Sequence, residues 1–245
     1  MKKLCDFLAM TELFAGLNHN VYVDYCQNTN VHLFWKGEFI AREGEKSFGV
    51  GIIVEGQVSK QKYSADGESA TLDLLEPGDT FGEDLIFAKD NRYKFTLEAV
   101  SSVKVVYVKQ QDLYEMINRS PHMLTNLLGL LSNHINNQNK RIYTLSQRTL
   151  RQKISSYLLD LLEQQLSEDN KTLDEASEIV STQAIELPAS KEVISRLLAM
   201  PRPSFSRELI SMEKDGLIRV SGRVIWLSDL AGLESGVIGD FAPLE

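Results

Sequence analysis

Short apolar and alternating runs, cut every few residues by turn signals, fill the chain from Val31 to about Lys109. That rhythm predicts a β-sandwich or barrel. Ile52, Ile53 and Val54 read as a strand, Glu55-Gly56 as a turn, and Val58 to Tyr63 as the next strand. Asp66-Gly67 then predicts a hairpin closing onto Ala70 to Leu75. Pro77-Gly78-Asp79 marks another turn, because Gly reaches unusual backbone angles and Pro removes a ladder donor. The runs "YKFTLEAV" and "VKVVYV" complete the sheet.

Past Pro121 the period changes to that of a helix. Leu124, Leu128, Leu131, Ile135, Ile142 and Leu145 recur at alternating intervals of four and three, with Gln138 in the one missing place. This is a heptad seam. A helix lying along its own sheet would show a similar stripe. Pairing with a twin helix in a homodimer is favoured by Gln138-Asn139, since isolated polar residues in a seam fix register or reach a ligand.

A second helix, Leu150 to Leu166, has an apolar face of Ile154, Leu158 and Leu161/Leu162, and the acidic stretch "SEDNKTLDEASEIVSTQ" reads as a surface connection. Ser190 is a good N-cap for a short helix from Lys191 to Ala199, with Val193, Ile194, Leu197 and Leu198 as its apolar stripe. Met200 to Arg202 breaks it, Pro203 suits the first turn of a new helix, and Gly216 suits its stop. "LIRV", Ser221-Gly222 and "VIWL" follow as a hairpin, which makes the whole a winged helix-turn-helix. Arg202, Ser204, Ser206 and Arg207 cluster at the start of its second helix. That end of a recognition helix enters the major groove, where Arg makes bidentate contacts to guanine and Ser reaches bases or phosphate. Lys191 joins them as a candidate DNA contact. From Leu230 to Glu245 no pattern is readable.

Composition changes this picture in three places. A net charge of −8 argues against nucleic acid, yet between Pro188 and Ser228 seven Lys and Arg face only four Asp and Glu. A local basic footprint therefore survives the acidic average. Cys5 and Cys26 are the only cysteines, too few for a disulfide framework or a four-cysteine iron-sulfur cluster. No stretch approaches the roughly 18 uninterrupted apolar residues of a membrane helix. Asp6, Thr11 and Glu12 interrupt the apolar N-terminus, which argues against an exported precursor and for the cytoplasm.

With 245 residues, two domains are expected, 1–147 with the long helix at about 121–147, and 148–245. The fold class is α+β: an N-terminal β jelly-roll (double-stranded β-helix), a long dimerisation helix and a C-terminal winged helix-turn-helix. Enzymatic readings fail on their ligands and nucleophiles. A cupin needs clustered His and carboxylates on adjacent strands, and only His32 is there. No Ser-His-Asp set, phosphate loop or paired metal spacing appears either.

The succession "KGEFIAREGE", "GIIVEGQV", "DGESATLDLLEPGDTFGE", a long helix and "ASKEVISRLLAMPRPSFSREL" resembles the Crp/Fnr superfamily of bacterial transcription regulators, roughly from Val31 to Asp229. The resemblance implies a homodimer that binds a palindromic site in double-stranded DNA and recruits or blocks RNA polymerase in response to a signal. Arg202 and Arg207 match the family's recognition-helix arginines, and Ser206-Arg207 resembles the Ser-Arg pair of the Fnr branch. Pro203 stands where many members carry a base-reading glutamate, which implies a different half-site.

In the cyclic-AMP members a Gly-Glu pair meets ribose, an Arg-Ser pair holds the cyclic phosphate and a Thr-Ser pair on the long helix meets adenine. Gly82-Glu83 matches the first. Tyr93-Lys94, or Arg92-Tyr93 with a one-residue slip, takes the second place, and Gln138-Asn139 the third. Loss of the arginine fork with its hydroxyl argues against cyclic AMP. The effector is an unidentified small molecule or redox signal; Arg92 and Lys94 keep an anionic ligand open. Haem requires an axial ligand, often His. Of His19, His32, His122 and His134, only His134 lies on the long helix near this pocket, and it reads more simply as a surface or packing residue. The competing reading is a dimeric ligand-sensing or interaction module that touches no DNA, and salt-dependent duplex binding separates the two.

Overall fold

The computed structural model describes residues 2–63, 69–168 and 183–238. The Asp66-Gly67 turn and most of the acidic connection after Ser167 lie outside these residues. The chain divides into two compact units, residues 1–137 and 138–245.

In the first unit, eight strands among the described residues form two antiparallel sheets. One holds β1 (His32–Phe34), β8 (Val103–Val108), β3 (Val50–Glu55) and β6 (Thr80–Phe81), in that order. The other holds β2 (Phe39–Ala41), β7 (Thr96–Ala99), β4 (Val58–Tyr63) and β5 (Ser69–Leu75). This is the expected jelly roll. The largely apolar make-up of β3 and β8 follows from burial on both faces. Ile53, Val103 and Val105 join Val58, Leu75 and Leu97 in the cluster between the sheets. Val50, Ile52, Val106 and Val108 belong to a second cluster, shared with helical residues on the outer side. Gly51 lets the strand pass beneath a ring, for a Cβ there would stand 2.1 Å from Cζ of Phe81.

Besides the long helix, that second cluster draws on helices that no pattern in the sequence predicts. They are α1 (Lys2–Leu8), a 3-10 turn at His19–Val21, α2 (Val23–Asn28) and α3 (Gln110–Arg119). Each contributes only a few buried residues, such as Leu8, Cys26, Leu113 and Met116, too few to show a period in sequence.

The long helix α4 (Pro121–Ser146) begins at Pro121 as the sequence predicts. Its packing stripe differs from its heptad seam. Met123 and Leu127 are buried in the unit's own core, whereas Leu124, Leu128, Ile135 and Ile142 are 43%, 55%, 58% and 65% exposed. Leu131 and Leu145 are half-buried. The seam is therefore largely left open by the chain's own fold.

The second unit is built on α5 (Leu150–Glu168), whose buried face is Ile154, Leu158, Leu162 and Leu166, with Leu161 only half-buried. Near its start Ser156 Oγ lies 2.8 Å from Thr144 Oγ1, both of them buried. A three-stranded sheet follows in the order β10 (Ile218–Ser221), β11 (Val224–Leu227), β9 (Gln183–Glu186). The hairpin is as expected, while β9 was hidden at the end of the acidic connection. The segment after Leu230, which showed no pattern, forms a helix at Leu230–Ile238 that packs against α5 through buried Leu233 and Val237. No helix among the described residues is long and apolar enough to cross a membrane.

Candidate functional site

Ser190 caps α6 (Lys191–Leu197) by accepting from the Val193 amide, and α7 (Arg202–Lys214) follows after a four-residue turn. Ala199 in that turn has φ +51°, a left-handed angle that an L side chain adopts at a cost. It is exposed. Ala199→Gly is accordingly expected to raise unfolding free energy by about 0.5–1 kcal/mol, the relieved strain exceeding the entropy of the added Gly. A urea melt of the two proteins checks this.

Phe205, Leu209 and Met212 anchor α7 in the core, so the opposite face carries Arg202, Arg207 and Ile210 into solvent. Ser204 and Ser206 are half-buried between them. Arg207 lies along its own helix, donating to Pro203 O at 3.3 Å and Ser204 Oγ at 3.4 Å. Such long bonds are weak and readily exchanged for a ligand. Arg202 Nη1 is 3.9 Å from Glu192 Oε2, a carboxylate that Arg196 already pairs. Lys191 lies beside Ser206, Ile210 and Val220 along a shallow groove between helix and wing.

Four acidic residues near the recognition helix and wing are held by partners. Arg151 on α5 binds Glu208 Oε1 through Nε at 2.7 Å, Asp215 Oδ2 through Nη1 at 2.7 Å, and Ser211 Oγ through Nη2 at 2.8 Å. Arg223 pairs with Glu186 at 2.6 Å, and Glu213 accepts from the Val220 amide at 2.9 Å. What faces solvent at the start of α7 is net cationic. Nothing in the sequence linked Arg151 to the recognition helix. Arg151→Met should lower stability by about 1–2 kcal/mol, since charged hydrogen bonds are strong but this side chain is 37% exposed. A thermal melt measures that loss.

In the first unit, Gly82 has φ +77°, and a Cβ there would lie 3.0 Å from Gly49 O. The turn it makes directs Glu83 inward, where its side chain is 1% exposed. Oε1 of Glu83 accepts from Nδ1 of His134 at 2.9 Å, and Oε2 has no hydrogen-bond partner among the described residues. Burial pushes this carboxyl up, but the His134 hydrogen bond and charge outweigh it and hold it below the usual range. His134 is raised in turn, chiefly by its bond to Glu83. In the sequence His134 reads as a surface or packing residue, and no spacing joins two positions so far apart.

Tyr93 is a core residue between Phe81 and Phe95, its hydroxyl 3.3 Å from Ser47 Oγ. Arg92 donates to Gly44 O at 2.7 Å, and Lys94 pairs with Asp90. Gln138 and Asn139 are exposed on α4.

A jelly roll with an inward carboxylate at a glycine turn, followed in the chain by a winged helix-turn-helix with exposed arginines, defines a DNA-binding transcription regulator. Residues 31–120 match the cyclic nucleotide-binding domain, and residues 152–235 match the Crp-like helix-turn-helix domain. The chain belongs to the Crp/Fnr superfamily. It is 25% identical over 202 residues to the nitrogen fixation regulation protein FixK of Azorhizobium caulinodans, covering 82% of this chain and 76% of that one. To the transcriptional regulator LdrP of Thermus thermophilus it is 28% identical over 206 residues, covering 82% and 93%. The solved structure of FixK2 from Bradyrhizobium japonicum shares the fold, with TM-score 0.66 at 21% identity over 88% of this chain and 99% of that one.

Proposed function

We propose that the chain is a cytoplasmic, homodimeric transcription regulator in which residues 1–147 sense a signal and residues 148–245 read a palindromic promoter site. The observation that carries this is the solvent face of α7. Arg202 and Arg207 stand free of the core at the helix start, beside acidic neighbours already paired to Arg196 and Arg151.

Two such helices meet successive major grooves when a symmetric dimer holds them about 34 Å apart. The open seam of Leu124, Leu128, Leu131, Ile135, Ile142 and Leu145 supplies the dimer contact. Arg207 pairs with a guanine edge, Ser204, Ser206 and Lys191 position the helix on phosphates, and bound protein recruits or blocks RNA polymerase.

The signal is not cyclic AMP. A cyclic phosphate needs a cationic fork and a hydroxyl, whereas Arg92 and Lys94 are bound to Gly44 and Asp90, and Tyr93 is in the core. The test is selection of duplexes from a random pool by the full chain. A palindromic consensus is expected, and an interaction module that touches no DNA would enrich none.

A further inference from the structure

Glu83 is the most deeply buried carboxylate of the sensor unit's glycine turn, and one of its oxygens has no partner in the described residues. A buried anion of this kind is costly unless hydrogen-bond donors and an opposite charge stand against it. His134 provides that charge from α4, and its side chain is 26% exposed, so solvent protons reach it. Resting on the regulator reading above, we propose that His134 is an internal ligand of the sensor site and that the effector the site reads is the proton.

The geometry gives the mechanism. Protonated His134 donates from Nδ1 to Glu83 Oε1 and ties the middle of α4 to the turn after β6. Ile135, next to this histidine, lies in the open part of the seam, and Leu131 packs against the unit's core. Fixing this turn of helix on the roll fixes how the seam is presented to a second copy, and hence the spacing of two recognition helices. Neutral imidazole can keep the hydrogen bond through its Nδ1–H, but it no longer supplies the positive charge that offsets the buried carboxylate, and the tie is weaker for it.

The other groups that face the pair are few. Asp84 favours the charged histidine and Lys60 on β4 opposes it, with its ammonium 4.0 Å over the Phe95 ring. On α4 itself His134 is the only ionisable side chain from Met123 to Asn139. The direction follows. His134 lies above its ordinary 6.5, so its contribution is full below 6.5 and is lost as pH rises through the raised value. Glu83 lies below its ordinary 4.5, so its contribution is present above 4.5 and fails as pH falls through the lowered value. The clamp is closed between these limits.

The experiment measures affinity of the full chain for the selected palindromic duplex from about pH 5.5 to 8.5 at constant ionic strength, a range that spans an ordinary histidine. Wild type, His134→Arg and His134→Gln are compared. Wild type should bind roughly five- to ten-fold more weakly at the alkaline end, since both protomers lose the charge of a hydrogen bond. His134→Arg, a permanent cation, should stay tight throughout, and His134→Gln should stay weak throughout. A flat wild-type profile, or a His134→Arg profile as steep as wild type, overturns the proposal. Amide hydrogen exchange of residues 131–137, corrected for intrinsic rates, reads the clamp without DNA. Its protection should fall at alkaline pH in wild type and not in His134→Arg, and equal behaviour overturns the clamp. Failure of all three proteins to bind any duplex would count against the regulator reading, while amide exchange would still decide the clamp.

Discussion

Arg207→Ala is expected to abolish sequence-specific DNA binding while leaving folding and dimerisation unchanged. A bidentate arginine–guanine contact is worth about 1–3 kcal/mol of discrimination, and a symmetric dimer makes it twice. The expected loss is therefore about 2–6 kcal/mol, concentrated at one base pair of each half-site. The fold should not notice, because Arg207 is exposed and its bonds inside the chain are 3.3 and 3.4 Å long. Arg207→Lys should rescue phosphate attraction without the base preference, since an ammonium cannot make the planar fork. Binding of the wild-type consensus and of single-base variants measures both effects. Unchanged preference at every position would remove Arg207 from the recognition role.

The second large effect concerns the seam. Leu128→Glu with Ile135→Glu should convert a dimer to a monomer and weaken palindrome binding by roughly 10²- to 10⁴-fold, the loss that follows when two linked contacts become one. Both side chains are more than half exposed in the single chain, so the substitutions remove no packing from its core. Across a seam they would place like charges on two facing helices, where repulsion and desolvation act together. Sedimentation velocity reads the mass directly. A monomeric wild type, or a variant that remains dimeric, would show that the exposed stripe is not the contact.

What was readable in the sequence and what was not divide along physical lines. Strands β3 to β5, α4 from its proline start, and the helix-turn-helix with its hairpin all carry local signals: alternation, a turn pair, an N-cap, a helix-breaking proline. These act within a few residues and survive without tertiary context. The N-terminal helices, α3 and the final helix are short, and each buries one or two side chains in a core supplied by other elements. Their structure comes from packing, which no window along the chain can see. The seam was readable as a period. Only the fold shows that it is distinct from the Met123–Leu127 stripe that packs the helix on its own unit.

The sites follow the same division. Arg202 and Arg207 were legible because a recognition helix presents its contacts as consecutive turns of one element. Arg151, which holds Glu208, Ser211 and Asp215, and His134, which meets Glu83, act across 50 or more residues of chain, and such pairs leave no spacing to read. Of the candidates carried over by resemblance alone, Gly82 lies close to the Tyr93 hydroxyl, 3.3 Å from where a Cβ would stand. Glu83 is buried at a glycine turn, Tyr93 is part of the core, and Arg92 and Lys94 are bound to neighbouring groups.

The most direct measurement is a fluorescence titration of the full chain with its selected palindrome and with a scrambled duplex of the same composition, repeated across a salt series. The palindrome should bind at least about 10³-fold more tightly than the scramble, and both affinities should fall steeply with salt as counterions are recaptured. Equal binding of the two duplexes, or no binding to either at low salt, would contradict the assignment of this chain as a sequence-reading regulator.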